Sequence, residues 1–186
     1  LAEASFEVTK ALHAPADRAY ATMLHNLGRA RMRAGDLPGA LTALRQVADL
    51  LESHRPGTED RAGSLDQLGG VLERMARAGQ RDHLPEAVTV TQCALALRRG
   101  LHGRRSAPVA QSLNNLSTIR NTQGRDVTAA KLVAASLRIN RAVLPAGDAR
   151  IAYGALNVGA AWLKAGRADL AEPLLREALD ILRAAY

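Results

Sequence analysis

The run Asn157-Val-Gly-Ala-Ala-Trp-Leu-Lys-Ala-Gly-Arg-Ala-Asp-Leu-Ala-Glu-Pro-Leu-Leu-Arg-Glu-Ala-Leu-Asp-Ile181 contains an Asn, a Gly nine positions later and an Ala five positions after that. The same triplet occurs as Asn26, Gly35 and Ala40, and again as Asn115, Gly124 and Ala129. A fourth copy fits with Gln67 in the Asn place and Ala87 in the Ala place. Successive Ala-to-Ala steps are 47, 42 and 42 residues, and the long step coincides with extra residues in Met75–His83. Those residues lengthen either a connection or a helix end. Self-similarity at such a period marks a stack of supersecondary units, each unable to bury its apolar face alone.

Each copy reads as two helices. Ser112–Ile119 and Ala129–Ile139 carry apolar residues at i, i+3, i+4 and i+7, the spacing of one helical face. Leu, Ala and Arg are strong helix formers, and no alternating run of β-branched residues argues for strands. Asp17, Thr58, Ser106 and Asp148 stand where first helices should begin and can cap their free N–H groups. Gly35, Gly124 and Gly166 stand where those helices should end, at a position that commonly needs a positive φ. Asp36 is placed to cap a second helix, with Pro38 tolerated in its first turn. The recurring Ala suits the point where two helices meet at a tight turn, and Leu44 and Leu175 fill the wider part of the angle.

The opening segment matches a second helix position by position: Ala4–Leu12 aligns with Ala129–Leu137. Residues 1–16 therefore read as a second helix lacking its partner. The copies are placed at 17–56, 57–105 (with the insertion), 106–147 and 148–186. The chain begins with Leu1 and its last helix has no capping helix after it, so both ends read as cut from a longer array, with end-to-end self-association as a consequence. The fold class expected is all-α, a right-handed solenoid of antiparallel helix hairpins.

Composition narrows the function. The chain has 186 residues, of which 47% are hydrophobic and 23% charged, as befits a folded protein. Aromatic residues are only 3%, too few for base-stacking platforms. The formal charge of +7 is carried by 22 Arg and three Lys. Arg in such excess over Lys reflects a GC-rich genome, and the charge still attracts acidic partners. One cysteine, Cys93, excludes an internal disulfide; it lies on an apolar helix side and reads as a buried, inert thiol. No apolar run is long enough to span a membrane, and the N-terminus has no signal-peptide pattern. The reading is a cytoplasmic protein. The five His form no i, i+3 or i, i+4 pair, so neither a metal nor a cofactor site is expected. A phosphate loop and a nucleophile elbow are both absent.

The run Asn157–Ile181 resembles a tetratricopeptide repeat (TPR) of the 42-residue kinesin-light-chain type, through Gly166-Arg167, Ala171-Glu-Pro-Leu174 and Ala178-Leu-Asp-Ile181. Ser112-Leu-Asn-Asn-Leu116 followed by Gln123-Gly-Arg125 carries the same signature. The likeness is strong in the first, third and fourth copies. The second, lengthened copy is similar to repeats of multidomain actinobacterial proteins. The resemblance implies a binding scaffold rather than an enzyme, gripping an extended peptide along a concave face lined by the first helices.

On that face Asn26, Gln67, Asn115 and Asn157 share one place. An amide both donates and accepts, so it can hold a peptide backbone without reading side chains. Structural bridging between repeats is the other use open to these amides. Seven residues on stand Arg33, Arg74, Thr122 and Lys164, with Arg29 between Asn26 and Arg33. The expectation is an amide floor with a basic edge, suited to a peptide bearing Asp, Glu or a terminal carboxylate, with Tyr153 able to reach the groove. Trp162 is assigned to the core. Arg98–Arg105 forms a second basic cluster, read as a solvated turn between repeats. Two other functions stay open: a sensor or oligomerisation module of a larger regulator, and a basic nucleic-acid-binding repeat.

Overall fold

A computed structural model describes residues 18–145 and 147–185. The residues read as an isolated second helix, with Asp17, lie outside them. Eight α-helices follow in order: α1 (Arg18–Arg33), α2 (Leu37–His54), α3 (Glu59–Arg77), α4 (Leu84–His102), α5 (Ala107–Thr122), α6 (Asp126–Val143), α7 (Ala149–Lys164) and α8 (Ala168–Ala185), with a 3-10 turn at Arg81–His83 before α4. Among the described residues there is no strand.

The reversals between paired helices share one construction. Gly35, Gly79, Gly124 and Gly166 hold φ of +83°, +111°, +75° and +72°. The following residue donates its N–H to the carbonyl five residues back: Asp36 to Arg31, Gln80 to Met75, Arg125 to Arg120 and Arg167 to Trp162, at 2.9–3.0 Å. This is the Schellman closure of a helix, which needs a left-handed residue at its turn. The starts vary more. Thr58 and Asp148 accept from backbone N–H groups as expected, and Asp36 caps α2 through Gly39 N at 2.9 Å. Ser106 occupies its N-cap position but makes no capping bond. Its hydroxyl donates to Gly103 O instead.

The helices of each hairpin touch at one register. A side chain added at Gly28 would meet Leu44, at Gly69 would meet Thr91 and the Ala87 carbonyl, and at Gly159 would meet Leu175 and the Ala171 carbonyl. In α5 the same place is Ser117, whose hydroxyl donates to Ala129 O at 2.9 Å. All four lie two residues after the shared amide position. The contact confirms that Gln67 is the register-equivalent of the three Asn, and explains Ala40, Ala87, Ala129 and Ala171, all buried. The insertion now has a location. Helix α3 has 19 residues where α1, α5 and α7 have 16, and the extra turn follows Gly69. The 3-10 turn adds the rest. Both the helix end and the connection are lengthened.

The chain forms two compact units, Leu1–Leu97 and Arg98–Tyr186. In the first, α1, α2 and α3 bury Leu24, Leu44, Val47, Val71 and Leu72, each fully enclosed Leu contributing about 2 kcal/mol. Arg45 on α2 and Glu86 on α4 form a bidentate pair at 3.2 and 2.6 Å. In the second, Val133, Leu137, Ile151, Ala155 and Val158 form the core, with Trp162 partly buried against it as expected. Arg141 on α6 pairs with Glu177 on α8. Both pairs are partly exposed, so each adds about 1 kcal/mol at most.

Arg98 departs from the reading of its cluster. It is helical and 7% exposed. Its guanidinium donates to Ser112 Oγ at 2.9 Å and Pro108 O at 3.3 Å. The residues that follow are held by a buried anchor rather than by a wholly solvated turn. Cys93 is half-buried.

Candidate functional site

In the second unit, α5 and α7 flank a cleft of about 440 Å³ with α6 behind. Helical spacing places Asn114, Thr118 and Asn121 on one face of α5, and Asn157, Ala160 and Lys164 on the facing side of α7. Ala129 and Val133 of α6 close the floor. Short side chains at Ala129 and Ala160 keep the cleft open. Asn114 Oδ1 is enclosed and has no hydrogen-bond partner. Lys164 lies 3.4 Å from Asp126 Oδ1 and donates to Asn121 Oδ1. The cleft therefore offers three amides, and its one cation already has a carboxylate beside it.

Asn157 and Lys164 stand in this cleft. Asn115 does not line it; half-buried, it accepts from Gln111 Nε2 at 3.0 Å. The adjacent Asn114 takes the place instead. Tyr153 stands 54% exposed near the start of α7 and does not line the cleft. Alignment of copies favoured Asn115, whereas the i, i+4, i+7 spacing of Asn114, Thr118 and Asn121 was the signal for the residues missed.

In the first unit, Asn26, Arg29 and Arg33 follow one another at i, i+3 and i+7 on α1. Asn26 and Arg33 are exposed and Arg29 is half-buried. On α3, Gln67 is half-buried and Arg74 exposed. Arg74 Nη1 donates to Met32 O at 3.4 Å, a carbonyl at the end of α1 that also accepts from Gly35 N. Among the described residues none of Arg29, Arg33 and Arg74 has a carboxylate partner. The cationic row is thus of mixed use: Lys164 is neutralised locally, Arg74 also closes a helix end, and Arg33 projects without an ion pair.

Beside Arg29 lies a recess of about 210 Å³ that contains His25, Thr22 and Ser64. His25 Nδ1 is 3.1 Å from Ser64 Oγ, which donates to Asp60 O at 3.0 Å. Burial pushes the imidazole below its ordinary range, Arg29 pushes the same way, and Asp60 opposes them. Ser64 is 1% exposed with its proton directed to a carbonyl, so the contact packs α1 against α3. Among the described residues no cluster of His, Cys, Asp and Glu is arranged to hold a metal. Nor is any helix there long and apolar enough to cross a membrane.

No protein-family model matches this chain, and no curated protein sequence matches it. Solved structures do. A kinesin-light-chain protein of Podosopora anserina, built of nearly identical TPR-like repeats, is similar over 99% of this chain and 85% of its own, at 17% identity and a TM-score of 0.82. BtubC (BKLC) from P. vanneervenii matches over 98% of this chain and 75% of its own, at 19% identity and a TM-score of 0.80. MamA covers 97% of this chain and 86% of its own, at 20% identity and a TM-score of 0.64. The fold is of the tetratricopeptide type.

Proposed function

We propose that this protein is a non-catalytic scaffold that holds an extended peptide segment of a partner along the first helices of its repeats, placed at 17–56, 57–105, 106–147 and 148–186. The observation that carries the reading is Asn114: an enclosed amide oxygen without a partner, in a cleft that Asn157 also lines. A buried acceptor left unmade is costly, and turning the Asn114 amide toward a peptide N–H laid across the cleft relieves that cost. The second amide, two donors and an acceptor on Asn157, is placed to take the next backbone group. Acidic residues of the ligand are assigned to Arg29, Arg33 and Arg74 of the first unit, which lack carboxylate partners.

The test is selection of unstructured peptides from a displayed library on the intact protein. Binders should be enriched in Asp and Glu. Replacing Asn114 and Asn157 together by Ala should weaken the best binder by about tenfold, as the loss of two backbone hydrogen bonds implies. Undiminished affinity in that double variant removes the amide clamp. Binders without acidic residues remove the charge preference.

A further inference from the structure

The second unit has another concavity, remote in its lining from the amide cleft. It measures about 670 Å³ and lies between the end of α4, the connection after it, the start of α5 and the later half of α6. Four guanidiniums line it: Arg99 on α4, Arg104 and Arg105 in the connection, and Arg138 on α6. Among the described residues none of the four has a carboxylate partner, and no carboxylate lines the cavity. Four like charges gathered without counter-ions raise the local potential and attract an anion. They are also held in place. Arg98, one residue before Arg99, is locked to Ser112 and Pro108 of α5, which fixes the end of α4 beside α5.

The floor decides what kind of anion fits. Val109, Leu113 and Ile139 are packed beneath it. Ala135 and Ala142, each about one turn from Arg138 and Ile139 on α6, leave low, open apolar surface between the arginines. Such a floor returns no hydrogen bond, so a wholly polar anion would strand its own hydration against it. No aromatic side chain lines it for a nucleobase to stack on. Carboxylates for the arginines, with aliphatic side chains between them for Ala135 and Ala142, satisfy both features. We infer that this cavity is a second interaction surface, one that docks an acidic, aliphatic-bearing segment of a protein partner, independently of the amide cleft.

The experiment measures binding of a labelled synthetic peptide of mixed Glu and Leu to the intact protein by fluorescence anisotropy. The expected result is saturable binding that weakens as salt rises from about 50 to 200 mM. Arg104→Glu with Arg138→Glu should weaken it by about tenfold or more, and Arg104→Gln with Arg138→Gln by less. Both pairs are exposed, and a thermal melt by circular dichroism verifies that the fold is kept. The series is measured in the Asn114→Ala, Asn157→Ala background, where the amide cleft no longer grips a peptide backbone, which separates the two surfaces. The inference is overturned by no binding at about 1 mM peptide, by equal affinity after the charge reversal, or by equal affinity when Leu is replaced by Ser. Tighter binding of tripolyphosphate or single-stranded DNA to the same arginines also overturns it.

Discussion

At the scale of single residues, the position two after the shared amide sets how closely each hairpin closes. In α3 it is Gly69, and a methyl there would stand 2.2 Å from Thr91 Oγ1 and 3.4 Å from the Ala87 carbonyl. Thr91 is fully buried and its hydroxyl has no partner. A β-branched side chain has little freedom to swing aside. Gly69→Ala should therefore destabilise the protein by about 1–2 kcal/mol, since overpacking outweighs the gain of about 1 kcal/mol from removing a helical glycine. Urea unfolding measures it. Adding Thr91→Ala should restore most of the loss, and a double variant as weak as the single one would show that the clash is elsewhere. The recurring Ala partners were legible in the sequence because they repeat as one residue type. The facing position was not, because it is Gly in three copies and Ser in one, and small size has no single letter.

Among elements, caps show where local chemistry was readable. Asp148 holds the start of α7 through Arg150 N at 2.9 Å and grips the Arg150 side chain at 2.9 and 2.7 Å. The Arg150 side-chain bonds come first, with the backbone bond behind them, in lowering the carboxyl from 3.8 to about 2. A carboxyl more acidic when folded contributes stability that is fully present above its unfolded value and disappears as pH falls through its folded value. Asp148→Asn keeps an acceptor for the cap but cannot titrate. The stability gap between the parent and Asp148→Asn should hold steady above about pH 5 and close between about pH 4 and 2. Denaturation curves across that range measure it, and a gap that does not move contradicts the assignment. Ser106 had the same sequence credentials, yet its hydroxyl turns back to Gly103 O. Capping residues are legible as types; which of two backbone groups a short hydroxyl chooses depends on the preceding turn.

Across the whole molecule, the repeat period made the fold legible, and the two-unit division escaped it. The boundary at Leu97 and Arg98 falls inside α4, within a basic run whose composition reads as solvent-facing. Only packing reveals that Arg98 is enclosed. The candidate site was half legible for a related reason. Aligning copies finds residues that recur, such as Asn157 and Lys164, but Asn114 and Asn121 belong to one copy alone. Contacts stay local in sequence: of the side-chain bonds described above, the longest-range joins Lys164 to Asn121, 43 positions apart. Proteins dominated by local contacts fold fast. The main refolding phase after a stopped-flow dilution from urea should finish within about 10 ms, and a main phase lasting seconds would contradict that view.

The lengthened third helix carries a rule about what insertions this array can absorb. Three added residues advance a helix by about 4.5 Å and rotate it by about 300°, which leaves the continuing chain only about 60° out of phase. The apolar stripe survives that error: Met75 and Ala76, in the lengthened end of the helix, are still buried. One or two added residues would rotate the stripe by about 100° or 200° and present it to water. Length changes within the helices of such a chain are therefore quantised in near-whole turns, and a copy that has drifted by three or four residues is still in tune with its neighbours.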